Sequence, residues 1–239
     1  DPISISLQEN SQQFIKVSDI AEFYNGIATG PDKDKYFSNQ KLNDKYKPLL
    51  MGNNISRYSI HSDGKFINYD RKKLHRPREE KIFLTDEKII MQRIRNLKLE
   101  RRLVCTLDVE KYYTFNSVNN LLLKEDSKYN IRYLLALLNS NLLNYLLKQY
   151  SLNTNITLSD LELLPIKQID FNNSKENKYH NDIIQLVNQM IESIKLLANS
   201  KSESEKNILS QKIDLIDENI NRIIYELYGL TADEIKLIE

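Results

Sequence analysis

Two apolar seams near the C-terminus constrain this chain more than any other feature. Ile183, Val187, Met190, Ile194 and Leu197 follow one another at alternating spacings of four and three, as do Leu209, Ile213, Ile216, Ile220, Ile223 and Leu227. Only a helix gathers residues at that spacing into one stripe. The polar turn Ser200-Lys201-Ser202-Glu203-Ser204 joins the two runs, so they predict an antiparallel helical hairpin of coiled-coil type. Ile184, Ile191, Leu215 and Ile224 widen the stripe beyond what two helices need, which leaves apolar surface for the rest of the chain or for another protein. Gly229 is placed to stop the second helix, and Thr231 with Glu234 spells a capping box for a short last one.

Upstream the period is shorter. Phe14–Val17, Lys65–Tyr69, Lys88–Ile94, Leu103–Leu107, Tyr112–Phe115 and Asn120–Lys124 read as strands between turn-prone stretches such as Gly30-Pro31-Asp32 and Ser62-Asp63-Gly64. From Asn130 to Tyr150 the pattern becomes helical, with Leu134, Leu135, Leu138, Leu142, Tyr145 and Leu146 on one face. Ser159 with Glu162 suggests a capped turn that Pro165 ends, and the polar run 172–178 reads as a linker. Gly and Pro number only 5 each, which suits long helices better than a loop-rich sandwich. The fold class expected is therefore α+β: a β-rich region with packed helices over 1–172, then the hairpin over 173–239.

Charge is unevenly placed. The 34 Lys and Arg nearly balance the 33 Asp and Glu, yet residues 57–102 hold 14 basic against 7 acidic side chains, a net of +7, while 171–239 hold 8 against 12, a net of −4. A near-neutral chain can still present a polyanion-binding face when its positive charge is gathered in one patch. The patch contains Arg71-Lys72-Lys73 with His75, Arg76 and Arg78, then Arg93, Arg95, Lys98, Arg101 and Arg102. A single cysteine, Cys105, cannot close an intrachain disulfide, and no apolar run approaches the ~20 residues that span a bilayer, so a cytoplasmic setting is expected. The chain starts at Asp1, as expected of a piece of a longer protein.

Catalytic signatures are scarce. His61, His75 and His180 are scattered, none at metal-ligand spacing with Cys105, and no glycine-rich phosphate loop is present. Pro31-Asp32 with Glu79-Glu80-Lys81 or Asp86-Glu87-Lys88 gives a loose nuclease-like pattern of the kind a charged chain produces by chance. No catalytic residue, metal site or cofactor is assigned to this chain.

Several segments, in order, resemble a known family. Ser18-Asp19-Ile20-Ala21-Glu22-Phe23-Tyr24-Asn25-Gly26-Ile27-Ala28-Thr29-Gly30 resembles its opening turn with "G-I-x-T-G". Leu50-Met51-Gly52-Asn53-Asn54-Ile55-Ser56-Arg57-Tyr58, Phe66-Ile67-Asn68-Tyr69 and Lys88-Ile89-Ile90-Met91-Gln92-Arg93-Ile94 follow. Tyr133-Leu134-Leu135-Ala136-Leu137-Leu138-Asn139-Ser140-Asn141-Leu142-Leu143 is close to the family's "Y-L-L-A-L-L-N-S-x-L-L"; Leu163-Leu164-Pro165-Ile166 and Ile224 to Ile235 resemble the exit and the helices beyond it. The chain is thus similar to target-recognition domains of restriction–modification systems, above all the TaqI-like C-terminal specificity domain, and more distantly to Type I specificity subunits.

That resemblance implies sequence-specific recognition of double-stranded DNA beside a methyltransferase domain or subunit, with no membrane partner. S-adenosylmethionine and magnesium are then expected only in associated catalytic domains. None of the five prolines sits in an N-P-P-Y-type methyltransferase motif, so the chain reads as the recognition portion, not catalytic by itself. The DNA-binding residues expected are Thr29, Gly30, Arg57, Arg71, Lys72, Lys73, Arg76, Gln92, Arg93, Arg95, Asn96 and Lys98. Arg71, Lys72, Lys73 and Arg76 suit phosphates, whereas Arg93, Arg95 and Asn96 suit base edges. Each has a structural alternative: an ion pair for Arg93, a tight turn for Thr29 and Gly30. Asn139 and Ser140 are expected to tie the helix to the sheet, and Tyr112 and Tyr113 to pack rather than stack on bases. A hairpin of ~20–25 residues per helix spans on the order of 30–38 Å, comparable to one duplex turn, and suits docking or spacing. The alternative reading is a protein-interaction module built on that hairpin.

Overall fold

A computed structural model describes residues 2–31 and 33–239. In chain order the elements are α1 (Pro2–Glu9), β1 (Phe14–Ile15), α2 (Val17–Ile20), β2 (Ala21–Asn25), β3 (Phe37–Ser38), β4 (Tyr46–Leu50), β5 (Ile55–Ser56), β6 (Ser59–Ile60) and β7 (Phe66–Asn68). Then come α3 (Lys81–Leu84), β8 (Lys88–Gln92), β9 (Cys105–Asp108), β10 (Tyr113–Thr114) and β11 (Val118–Leu123). The remainder is helical apart from β12 (Ile166–Lys167): α4 (Ile131–Asn139), α5 (Asn141–Tyr150), α6 (Leu158–Leu161), α7 (Ser174–Asn199), α8 (Glu203–Tyr228) and α9 (Ala232–Ile238). The expected α+β class is the one observed.

The central sheet runs β2-β11-β8-β9 and is antiparallel throughout. In its inner strand β8 the centre, Ile89-Ile90-Met91, is continuously apolar because both faces are covered, and the two-residue alternation divides these side chains between them. Ile89 and Met91 join the core beneath α4, while Ile90 joins a second core with Leu50, Ile55, Val104 and Val118. At the start of β8, Lys88 lies opposite Asp108 in the register and pairs with it at 2.5 Å, both side chains buried. A buried cation of this kind is tolerable because it is fully partnered, here also donating to the Phe83 carbonyl at 3.0 Å. A second sheet, β10-β4-β7-β3, closes over Ile27, Leu49, Ile67, Tyr69, Phe83 and Tyr113.

The expected helix over 130–150 is two helices. Ser140 ends α4 in an extended conformation and caps α5 by accepting from the Leu143 amide at 3.2 Å. The preceding Asn139 ties α4 to the sheet as expected. Its amide accepts from the Cys105 N–H at 3.0 Å and donates to the Cys105 carbonyl at 2.9 Å, so it satisfies the strand-free, buried edge of β9 at this residue as a neighbouring strand would.

The hairpin is formed by α7 and α8, 26 residues each. Ile183, Val187, Met190, Ile216, Ile220, Ile223 and Ile224 are buried in the same core as α4; of the residues that widen the stripe, Ile191 packs half-buried against that core, whereas Leu215 is exposed. Gly229 ends α8 in the left-handed region at φ +69°, and Thr231 with Glu234 forms the expected capping box. Two local expectations fail. The run 172–178 is no linker, because Asn173 caps α7 by accepting from the amides of Lys175 and Glu176, and the helix starts at Ser174. The capping box near Pro165 belongs to Thr157 and Asp160, two residues earlier than Ser159 and Glu162; Glu162 instead accepts from the Ser18 amide at 2.9 Å.

Candidate nucleic-acid interface

Because β2 and β8 both run antiparallel to β11, their C-terminal ends and its N-terminal end meet at one end of the sheet. Asn25 and Gly26 leave β2 there, Arg93 leaves β8, and Asn116 leads into β11. Sequence-distant segments are brought together by this topology alone. Gly26 donates to the Val118 carbonyl at 3.0 Å, and a Cβ at this position would lie 2.0 Å from the Phe115 carbonyl oxygen, so no other residue fits. Two residues on, Ala28 and Arg76 exchange backbone hydrogen bonds, Ala28 N–H to Arg76 O at 3.2 Å and Arg76 N–H to Ala28 O at 2.8 Å. Gly30, at φ +85°, then turns the chain beside His75.

A cleft of about 340 Å³ results, with Arg76, Arg78, Arg93 and His75 around it. No carboxylate among the described residues lines it. Arg78 donates its Nε to the Gly26 carbonyl at 3.2 Å, and Arg93 one terminal nitrogen to the Asn116 carbonyl at 3.1 Å. Both are held by neutral backbone oxygens, and the buried Nε of Arg93 has no partner. Burial first, and then the positive charges of Arg76 and Arg93, hold the Arg78 guanidinium below its usual range. Three cations gathered without a counter-charge make a site for an anion.

Of the residues expected from sequence to meet DNA, Gly30, Arg76 and Arg93 line this cleft. Thr29 adjoins it, but its side chain is buried, with the hydroxyl on the Gly30 carbonyl. Arg71, Lys72 and Lys73 are exposed on the turn that leads to His75. Asn96 and Lys98 are exposed on the loop that leaves the cleft after Arg93, where the Asn96 side chain accepts from the Lys98 amide at 2.9 Å. Arg95 braces that loop, giving Nε and a terminal nitrogen to the Arg101 carbonyl at 3.2 and 2.6 Å and another to Gln92 at 2.9 Å. Gln92 in turn donates to the Ile55 carbonyl at 2.6 Å. Arg57 is brought elsewhere: it makes a bidentate pair with Asp217 of α8 at 2.5 and 3.1 Å and donates to the Asn139 carbonyl at 3.1 Å. Asn25, His75, Arg78 and Asn116 complete the cleft and were not singled out; Arg78 and His75 lay within the basic run, but β2, which positions Asn25, gives no alternating signal in its Ala-Glu-Phe-Tyr-Asn sequence.

The remaining candidates are placed as follows. Glu80 accepts from the Tyr113 hydroxyl at 2.5 Å, Asp86 pairs with Lys111 at 2.9 Å, and Glu87 holds Arg132 with two bonds at 2.8 and 3.2 Å. Asp32 of the nuclease-like pattern lies outside the described residues. Among the described residues, no three His, Cys, Asp or Glu side chains gather as metal ligands, and no helix is long and apolar enough to cross a membrane. Tyr113 stacks on Phe83 at 4.5 Å in the second core, and Tyr112 is half-buried, so both pack as expected.

The fold is that of a specificity domain. The model of the TaqI-like C-terminal specificity domain matches residues 47–166, half of the chain, and the chain belongs to that family. Among solved structures, the Type IIL restriction–modification enzyme MmeI, determined in complex with DNA, superposes over 93% of this chain with a TM-score of 0.62 at 9% identity. The HsdS subunit from Thermoanaerobacter tengcongensis aligns over 95% of this chain with a TM-score of 0.45 at 11% identity. The chain spans 35% of the first protein and 49% of the second. No curated protein matches it.

Proposed function

We propose that this chain is the sequence-specific double-stranded DNA recognition module of a restriction–modification or related methyltransferase system, and that it directs methylation or cleavage carried out by associated domains or subunits. The observation that carries the reading is the convergence of Arg76, Arg78 and Arg93 on one cleft with no carboxylate among the described residues that line it. The exposed Arg71-Lys72-Lys73 turn extends the positive surface on one side of the cleft, and the braced loop with Asn96 and Lys98 extends it on the other. Asn96 then has the amide that suits an adenine edge. Support also comes from membership of a specificity-domain family. S-adenosylmethionine and magnesium belong, in this reading, to the associated catalytic domains. The methyltransferase docks on the outer side of the hairpin, where Ile208 and Leu215, seven residues apart on α8, are 63% and 58% exposed.

Selection from a random duplex pool tests the reading. One consensus should emerge, and log K should fall against log salt with a slope steeper than about −2, because each neutralised phosphate releases counterions worth ~0.9 in slope. No enrichment of any duplex, or an affinity indifferent to salt, would contradict it.

A further inference from the structure

The reading above leaves open what the three-arginine cleft holds. Sequence reasoning gives Arg93 to a base edge, since it follows a strand and carries a bidentate fork. The geometry points the other way. We propose that the cleft seats one phosphodiester group of the DNA backbone, with Arg76, Arg78 and Arg93 sharing its charge, so that Arg93 sets register and leaves base reading to the neighbouring loop. This rests on the DNA-recognition reading and goes one step past it.

Three observations carry it. A guanine edge is neutral and is satisfied by two coplanar donors from a single guanidinium, whereas the cleft presents three guanidiniums from two segments of the chain, Arg76 and Arg78 on one and Arg93 on the other. Donors arriving from several directions suit a tetrahedral oxyanion. Second, confining like charges without a counter-charge raises their energy, which a neutral ligand does not relieve and an anion does; Arg78, held low by burial and by its two neighbours, registers that cost. Third, the backbone fixes the cleft before any ligand arrives: Gly26 admits no side chain, Ala28 and Arg76 are paired, and the Asn116 carbonyl holds Arg93. A preset cradle at the sheet end suits a group that every sequence offers at the same place, which is the phosphate. The loop from Asn96 to Lys98, exposed and free of the sheet, is the part that meets variable chemistry.

The test uses the full chain and its selected duplex, with Arg76→Gln and Arg93→Gln as variants. Among the described residues the Arg76 side chain has no hydrogen bond or ion pair, so its replacement leaves the fold's contacts in place. Each variant should return the wild-type consensus and lose about tenfold in affinity for consensus and scrambled duplex alike. Each should also flatten the salt slope by about 0.9. In a series of duplexes bearing one neutral methylphosphonate, a single position should cost the wild type about tenfold and cost Arg76→Gln clearly less, because part of that contact is already lost. A consensus altered at one base pair by either variant overturns the inference and leaves DNA recognition standing. So does a methylphosphonate series in which the two losses simply add. If Arg93→Gln does not fold, Arg93→Lys replaces it: a phosphate accepts the ammonium as a point charge, whereas a fork on guanine loses that base from the consensus. A wild-type chain that binds no duplex overturns both readings.

Discussion

Arg57 lies in the basic segment and was expected at DNA, yet the structure gives it to α8. Replacing Asp217 by Ala decides between the two roles, because Asp217 is acidic and has no part in attracting DNA. The pair is bidentate, at 2.5 and 3.1 Å, and the side chains of Arg57 and Asp217 are 23% and 22% exposed. Removing one partner of a fully buried pair costs roughly 3–5 kcal/mol, and an exposed pair contributes about 0–1 kcal/mol. With most of both side chains covered, about 2–3 kcal/mol is expected for Asp217→Ala, a fall in Tm of ~5–10 °C for a chain of this length. Arg101, whose guanidinium also reaches Asp217 at 3.9 Å while donating to the Asn139 carbonyl at 3.0 Å, loses its counter-charge as well, which places the expected cost at the upper end of that range. Arg57→Ala should cost a similar amount, and the double variant little more than either, so that a double-mutant cycle returns a coupling above about 1 kcal/mol. Urea unfolding supplies the stabilities, and duplex titration at several salt concentrations supplies the slope. The reasoning fails if the coupling is below about 0.5 kcal/mol, or if Arg57→Ala flattens the salt slope by ~0.9 as the loss of a phosphate contact does.

Two further outcomes follow from the same contacts. Gly26→Ala places a Cβ against the Phe115 carbonyl, so the end of the sheet must move; a loss of more than about 3 kcal/mol in urea unfolding is expected, and wild-type stability would contradict the packing. His180 sits among Tyr129, Tyr133 and Phe171, and burial holds its imidazole below the usual value, so the unfolded chain takes up the proton more readily than the folded one. Stability is then full above about pH 6.5, the unfolded value, and is lost as pH falls from there through the lower folded value. Melting curves of wild type and His180→Leu at pH 7.5 and 5.5 should diverge, and a difference independent of pH would refute the assignment.

Much of the helical part was legible because heptad spacing is a local property. Ile183 to Leu197 and Leu209 to Leu227 needed no partner to declare themselves helices, and Gly229, Thr231 and Glu234 marked their ends. The break at Ser140 was not legible, since Leu134 to Leu146 keep helical spacing straight across it. What ends α4 there is the demand of Asn139 for the edge of β9, a contact over 34 residues of sequence. The strands were found in part: β8 and β11 declare themselves by apolar content, while β2 is ordered by pairing with β11 and carries little pattern of its own.

The sequence alone determined that a basic segment precedes an acidic hairpin, and that the chain is of the TaqI-like specificity kind. It could not assign the cations within that segment. Arg57, Arg76, Arg93 and Arg95 are chemically alike and closely spaced, yet one clamps a helix, two line a cleft and one braces a loop. The difference lies in which neighbours each guanidinium meets, and those neighbours, Asp217, Asn116 and the Arg101 carbonyl, are set by the crossing of strands and helices. Charge is a property of composition; whether it is spent inside the fold or left for a ligand is decided by packing.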